Sequence, residues 1–185
     1  DTRDGLSNSQ VNCIFKDSEG FVWIGTPYGL NRYDGYRFRV FFSNANDTTT
    51  IKDNYVDDIC EAYDGRLWIK QGMNYCVYNP VTERFDRRPD RWLARQGIKG
   101  GIDRIYIDSR KCFWVKTYEN GLYYFNPYTH KLHLFKHGRG RNDIPEGFGV
   151  SSFSQFRNSV LVASTKGEIV CFNGEEGRVS WRNSY

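Results

Sequence analysis

Few residues in this chain have the type and spacing for covalent chemistry. The three histidines, His130, His133 and His137, lie three and four positions apart. On one strand His133 and His137 share a side while His130 takes the other, so the set does not converge on a metal ion. Five cysteines, Cys13, Cys60, Cys76, Cys112 and Cys171, make no CxxC or other ligand spacing. They fall in runs that read as strands, where a free thiol behaves as a small buried hydrophobe. Gly138-Arg139-Gly140 lacks the strand–loop–helix context of a phosphate loop. Asp57-Asp58 and Glu175-Glu176 occupy repeat or turn positions and read as solvated. These residues make no catalytic case, and they imply no metal and no cofactor.

Recognition without turnover asks for rings and hydrogen-bonding groups on one surface. Thr26-Pro27-Tyr28, Gln71-Gly72-Met73-Asn74, Thr117-Tyr118-Glu119-Asn120 and Thr165-Lys166 read as turns, and longer connectors add Trp92, Arg95 and Arg141. A Tyr or Trp ring can stack on the apolar face of a sugar, while amide, guanidinium and carboxylate groups bond its hydroxyls. The candidate ligand-binding set is therefore Tyr28, Asn74, Trp92, Tyr118, Asn120 and Arg141. The net charge of +4 is a mild basic bias. Much of it falls in Arg84, Arg87, Arg88, Arg91, Arg95 and Lys99, and again in Lys136, Arg139 and Arg141. These read as solvated loop charges. A surface for an acidic glycan or a nucleic acid is the second reading, and no nucleic-acid motif accompanies it.

The elements that must carry these side chains repeat. Asp17-Ser18-Glu19-Gly20 is turn chemistry, Phe21-Val22-Trp23-Ile24 is β-branched and aromatic, and Pro27 and Gly29 punctuate a second turn. The pattern returns at Asp64–Lys70, Cys112–Lys116 and, more worn, Val160–Gly167. Trp23, Trp68, Trp114 and Leu161 follow one another at 45, 46 and 47 residues, and Tyr33, Tyr78, Phe125 and Phe172 at 45, 47 and 47. Periods of about 40–50 residues with strand content indicate propeller blades of four strands each. The fold class is therefore all-β, a β-propeller segment with blades over about 6–43, 51–87, 101–136 and 149–182. The 5 Trp, 13 Tyr and 13 Phe recur on the repeat, so large rings should pack between blades. The connector 87–101 should hold a short helical turn at Trp92-Leu93-Ala94, and 136–149 should be an irregular loop. No apolar run approaches the length that spans a bilayer.

The first repeat, read whole, is Asp4-Gly5-Leu6-Ser7-Asn8, then Trp23-Ile24-Gly25-Thr26, then Gly29-Leu30-Asn31-Arg32-Tyr33-Asp34-Gly35. It closely resembles the two-component regulator propeller repeat, in the form that opens the sensor region of hybrid two-component systems of polysaccharide-degrading gut bacteria. The likeness weakens along the chain, since Lys70-Gln71-Gly72 stands where Gly-Thr would and Leu161 takes a tryptophan place. The resemblance implies a periplasmic sensor that binds a glycan-derived oligosaccharide and controls a histidine kinase lying outside this chain. In that family two seven-bladed propellers precede a β-sandwich, a transmembrane helix, the kinase core and a DNA-binding response regulator. Four repeats would then be part of a seven-bladed propeller. Uncovered blade faces would favour self-association, as a homodimer. The segment itself is expected to be no enzyme, to touch no nucleic acid, and to meet the membrane only through the downstream helix. Two alternatives stand beside it, a propeller polysaccharide lyase or glycosidase, and a protein-interaction module.

Overall fold

The computed structural model describes residues 2–183. Alternating apolar and polar runs separated by turn residues form four four-stranded antiparallel sheets, each with its strands in chain order. The first blade holds β1 (Cys13–Lys16), β2 (Val22–Thr26), β3 (Gly29–Tyr33) and β4 (Phe38–Phe41). The second holds β5 (Asp58–Glu61), β6 (Leu67–Gln71), β7 (Asn74–Asn79) and β8 (Arg84–Asp86). The third holds β9 (Ile102–Ile107), β10 (Phe113–Thr117), β11 (Gly121–Asn126) and β12 (Lys131–Phe135). The fourth holds β13 (Val150–Phe156), β14 (Ser159–Ser164), β15 (Ile169–Asn173) and β16 (Arg178–Asn183). The all-β class and the four-stranded antiparallel blades are as the repeat predicts.

The expected helical turn is a seven-residue helix, α1 (Pro89–Arg95). Proline begins it, where the missing N–H costs nothing. Gly97, at φ 89°, ends it. The Ile98 and Gly97 amides bond the carbonyls of Leu93 and Ala94, the paired closure of a left-handed cap.

The chain divides into two compact units, Asp1–Trp92 and Leu93–Tyr185, with two blades in each. In the first unit Trp23 meets Phe41 of its own blade and Tyr78 of the next, with ring centroids 5.7 and 5.0 Å apart. In the second unit Trp114 meets Tyr124 at 5.0 Å and reaches Phe172 of the fourth blade at 6.3 Å. Trp23, Trp68 and Trp114 are all buried. The core of each unit therefore lies between its blades, where tilted rings pack and remove most apolar area from water.

A buried indole N–H needs an acceptor. Asp17 supplies it to Trp23 at 2.6 Å and Asp108 to Trp114 at 3.0 Å. The same carboxylates accept the amides of Phe21 and Cys112, so one side chain closes the β1–β2 or β9–β10 turn and satisfies the core tryptophan. The second blade has Ala62 at the equivalent place, and there Trp92 and Trp68 pack edge to face with ring centroids 5.6 Å apart.

Polar links also join neighbouring blades within each unit. Glu61 accepts both the amide and the hydroxyl of Ser18, and Gln155 accepts the Ser109 amide. Glu175 was expected to be solvated, yet it accepts the Tyr124 hydroxyl at 2.5 Å and the Asn126 amide group at 2.6 Å. The correction has a steric reason. Gly174 lies flat against the Tyr124 ring, and only a residue without a side chain there lets Glu175 reach the phenol.

Arg87, read from sequence as a solvated charge, is also engaged. Its guanidinium bonds the carbonyls of Asn44, Asp47, Thr50 and Ile51 and the Thr50 hydroxyl, closing the connector that precedes its own blade. Arg182 does the same in the fourth blade, donating to the carbonyls of Gly140, Arg141 and Asp143. Of the histidines only His133 lies within a strand. His130 sits in the β11–β12 turn at φ 57°, and His137 lies beyond the strand. Cys112 falls one residue before β10, and the other four cysteines lie within strands as expected.

Candidate ligand-binding site

Each β-strand that leads into the turn at the connector end of its blade finishes on a polar residue. These are Thr26, Gln71, Thr117 and Ser164, all buried. Thr26 Oγ1 donates to the Gly29 carbonyl and accepts the Tyr28 amide, so the turn is pinned from inside. Thr117 accepts the Asn120 amide at 3.3 Å and Ser164 the amides of Lys166 and Glu168. The Gln71 amide group reaches across to the Asp53 carbonyl of the preceding connector. These buried hydroxyl and amide groups hold the exposed turn residues in register, which gives the turns the rigidity a recognition surface needs.

In the second unit this surface forms an open pocket of about 420 Å³ lined by Asp103, Lys116, Tyr118, His137, Glu146 and Phe148. Asp103 arrives there through an irregularity. Lys116 pairs with Arg104 and Thr117 with Ile102, so β9 carries one residue more than β10 and Asp103 is the extra one. Such bulges re-aim a side chain out of the ladder. Lys116 is 5 % exposed, and its ammonium group donates to the Thr117 carbonyl. Burial holds its pKa below the usual lysine range, opposed by the nearby carboxylates of Asp103 and Glu119. Tyr118 is anchored through its amide to the Gly101 carbonyl at 3.0 Å while its ring stays half exposed. His137 Nδ1 lies 3.3 Å from the Pro145 carbonyl, which orients the ring at the pocket. Phe148 is buried, and the glycines on either side of it also line the pocket.

The chemistry of this lining is mixed. One ammonium and one phenol can donate; two carboxylates and an imidazole nitrogen can accept; one aromatic face stands ready for stacking. That set suits a polyhydroxylated molecule, whose hydroxyls both give and take hydrogen bonds.

The sequence-derived candidates divide between the units. In the second, Tyr118 lines this pocket. Asn120 holds the adjoining connector, its side-chain amide donating to the Lys99 carbonyl at 2.9 Å. Arg141 lines a different cavity of the same unit. In the first, Tyr28 is exposed at the β2–β3 turn and Asn74 accepts the Lys52 ammonium at 2.6 Å. Trp92 is half buried against Trp68. Sequence reasoning missed Asp103, Lys116, His137 and Glu146 as pocket residues. A signal for the first two was available: Asp57 and Lys70 stand 13 residues apart, as do Asp103 and Lys116, and the pairs repeat at 46 residues. In the second blade Lys70 and Asp57 form an ion pair at 3.8 Å. Among the described residues no group of His, Cys, Asp and Glu could hold a metal ion.

With this geometry in view, comparison with known proteins places the first repeat. Residues 5–28 match the family model of the two component regulator propeller. A 48-residue stretch is 46 % identical to Histidine kinase P4 of Formosa agariphila, covering 26 % of this chain and 4 % of that protein. The fold matches the extracellular domain of a hybrid two component system from B. thetaiotaomicron, with a TM-score of 0.69 and 21 % identity. The match covers 97 % of this chain and 25 % of that one. A second extracellular domain from a hybrid two component system of the same organism matches with a TM-score of 0.56 and 16 % identity, covering 97 % of this chain and 30 % of its own. At these identities the structural likeness is one of fold. The chain thus spans a small part of the kinase and under a third of each extracellular domain. Among the described residues no helix is long and apolar enough to cross a membrane.

Proposed function

We propose that this chain is part of the periplasmic sensor of a hybrid two-component signalling protein, and that its second unit binds an oligosaccharide without transforming it. The observation that carries the reading is the Lys116 pocket, where a buried ammonium, a bulged carboxylate and a half-exposed Tyr118 ring converge. Its match to a regulator propeller model and its likeness in fold to extracellular domains support the sensor assignment. Control of a histidine kinase, and association as a homodimer, belong to the same proposal.

Calorimetric titration of the 185-residue chain with a panel of neutral oligosaccharides tests it directly. One or more members should bind, and Tyr118→Ala should weaken that binding about tenfold, the worth of a stacked ring in a desolvated site. Binding that Tyr118→Ala leaves unchanged would remove the pocket from the reading. Chemical turnover of any bound sugar would favour the lyase or glycosidase alternative. Sedimentation of the chain as a 21.7 kDa monomer at every concentration would exclude the homodimer for this segment.

A further inference from the structure

A second cavity of the same unit differs sharply in charge from the Lys116 pocket. It is an open groove of about 400 Å³ between the connector 136–149 and β16, and Arg139, Arg141, Trp181 and Arg182 line it with no carboxylate among the lining residues. We propose that this cavity is an anion subsite, taking the carboxylate or sulfate group of an acidic saccharide. The inference rests on the oligosaccharide reading given above and names a chemical class for it.

The backbone that presents the arginines is fixed before any ligand arrives. Arg182 draws the carbonyls of Gly140 and Arg141 inward at 3.0 and 2.8 Å. Asn142 accepts the Val179 amide at 3.0 Å, tying the connector to the strand. The base of the connector is closed by the Ile144 amide on the Lys136 carbonyl and the Gly138 amide on the Ile144 carbonyl. The Asp143 carboxylate accepts the Gly140 amide at 2.7 Å and lies against Gly138 and Gly140, so the three arginines keep a net positive charge with one carboxylate beside them. Arg139 and Arg141 are exposed on this tied connector. A planar guanidinium grips a carboxylate or sulfate with two parallel hydrogen bonds, a geometry lysine cannot supply. Trp181, 42 % exposed beside them, offers the flat apolar face on which a sugar ring stacks. Tying the connector backbone beforehand reduces the backbone entropy lost on binding.

The test uses the whole chain and three sugars of equal length: an oligogalacturonate, a sulfated galactan and a neutral galactan. Inorganic sulfate serves as a sugar-free probe. One or both acidic sugars should bind more tightly than the neutral one, with affinity falling as salt rises. The double variant Arg139→Gln, Arg141→Gln should lose about tenfold or more in that affinity, as expected for two charge-assisted contacts. Tyr36→Ala, an exposed ring of the first unit outside both cavities, should leave it unchanged. Sulfate alone should alter the tryptophan fluorescence, and Trp181→Phe should abolish the response. Equal affinity for neutral and acidic sugars, an unaffected double variant, or a silent sulfate titration would each overturn the anion subsite. Should sulfate respond as expected while no sugar of any kind binds, the anion site stands and the oligosaccharide reading fails.

Discussion

Glu175 shows what one partly exposed carboxylate can hold together. It joins Tyr124 and Asn126 of the third blade to the fourth, with Lys131 Nζ 3.7 Å away. The Tyr124 hydrogen bond, then that of Asn126 and the charge of Lys131, hold its pKa below the usual glutamate value, and burial opposes them. The phenol is held protonated in turn, since burial, Cys112 and Glu175 all raise its pKa. A carboxylate with a lowered folded pKa contributes stability that is complete above its unfolded pKa and is lost as pH falls through the folded one. The unfolded value is near 4.5, so the contribution is intact at neutral pH and disappears in the acid limb below it. Glu175→Gln should lower the melting temperature at pH 7 by about 2–4 °C and flatten its acid dependence, read by circular dichroism. Parallel melting curves for the two proteins down to acid pH would contradict the assignment. Lys116 poses the opposite case, because burial disfavours its charge. Lys116→Met should match or exceed the parent in thermal stability while losing oligosaccharide binding, which separates a residue kept for function from one kept for packing.

At the scale of the elements, the turn joining the first two strands of each blade shows how one conformation is reached by different residues. Gly20, Gly65, Lys111 and Arg157 occupy its left-handed position at φ 95°, 75°, 61° and 51°. Glycine adopts this conformation freely, whereas a residue with a Cβ pays roughly 1–2 kcal/mol. A methyl group added at Gly65 meets nothing within 4 Å. Gly65→Ala should therefore cost about 1–2 kcal/mol through backbone strain alone, measured by urea unfolding with an unchanged m-value. The third and fourth blades already carry that strain, which is one reason their motifs look worn. The blades themselves were legible because aromatic anchors and turn glycines kept two independent periods. What escaped was anything decided by where a long side chain turns. Arg87 and Arg182 look alike in sequence to the exposed Arg88 and Arg141, and only folding shows which guanidinium is drawn onto carbonyls. Tyr118 was legible as an exposed turn residue. Its pocket was not, because an alternating pattern cannot reveal the extra residue in β9 that redirects Asp103. Removing the clamp should be severe: Arg87→Ala leaves several connector carbonyls without their donor and should cost about 2–4 kcal/mol in the same unfolding experiment.

At the scale of the whole molecule, each unit has its own aromatic core and its own polar links between blades, so ligand binding can be located by unit. Both cavities argued above belong to the second unit, and the connector 136–149 lines both of them. That connector contains four glycines and no strand ladder, so its amides open more readily than those of the strands although its base and tip are tied. A ligand that binds only the folded form stabilises it by RT ln(1 + [L]/Kd), about 2.7 kcal/mol at a hundredfold excess over Kd. Hydrogen exchange measured with and without bound oligosaccharide should therefore slow most over 116–120 and 136–149. The equivalent turns of the first unit, around Tyr28 and Asn74, should exchange at unchanged rates. An acidic sugar should extend the protection to the amides of 178–182, and a neutral sugar should not. Protection centred on the first unit instead would show that the exposed Tyr28 turn, and not the Lys116 pocket, is where this propeller meets its ligand.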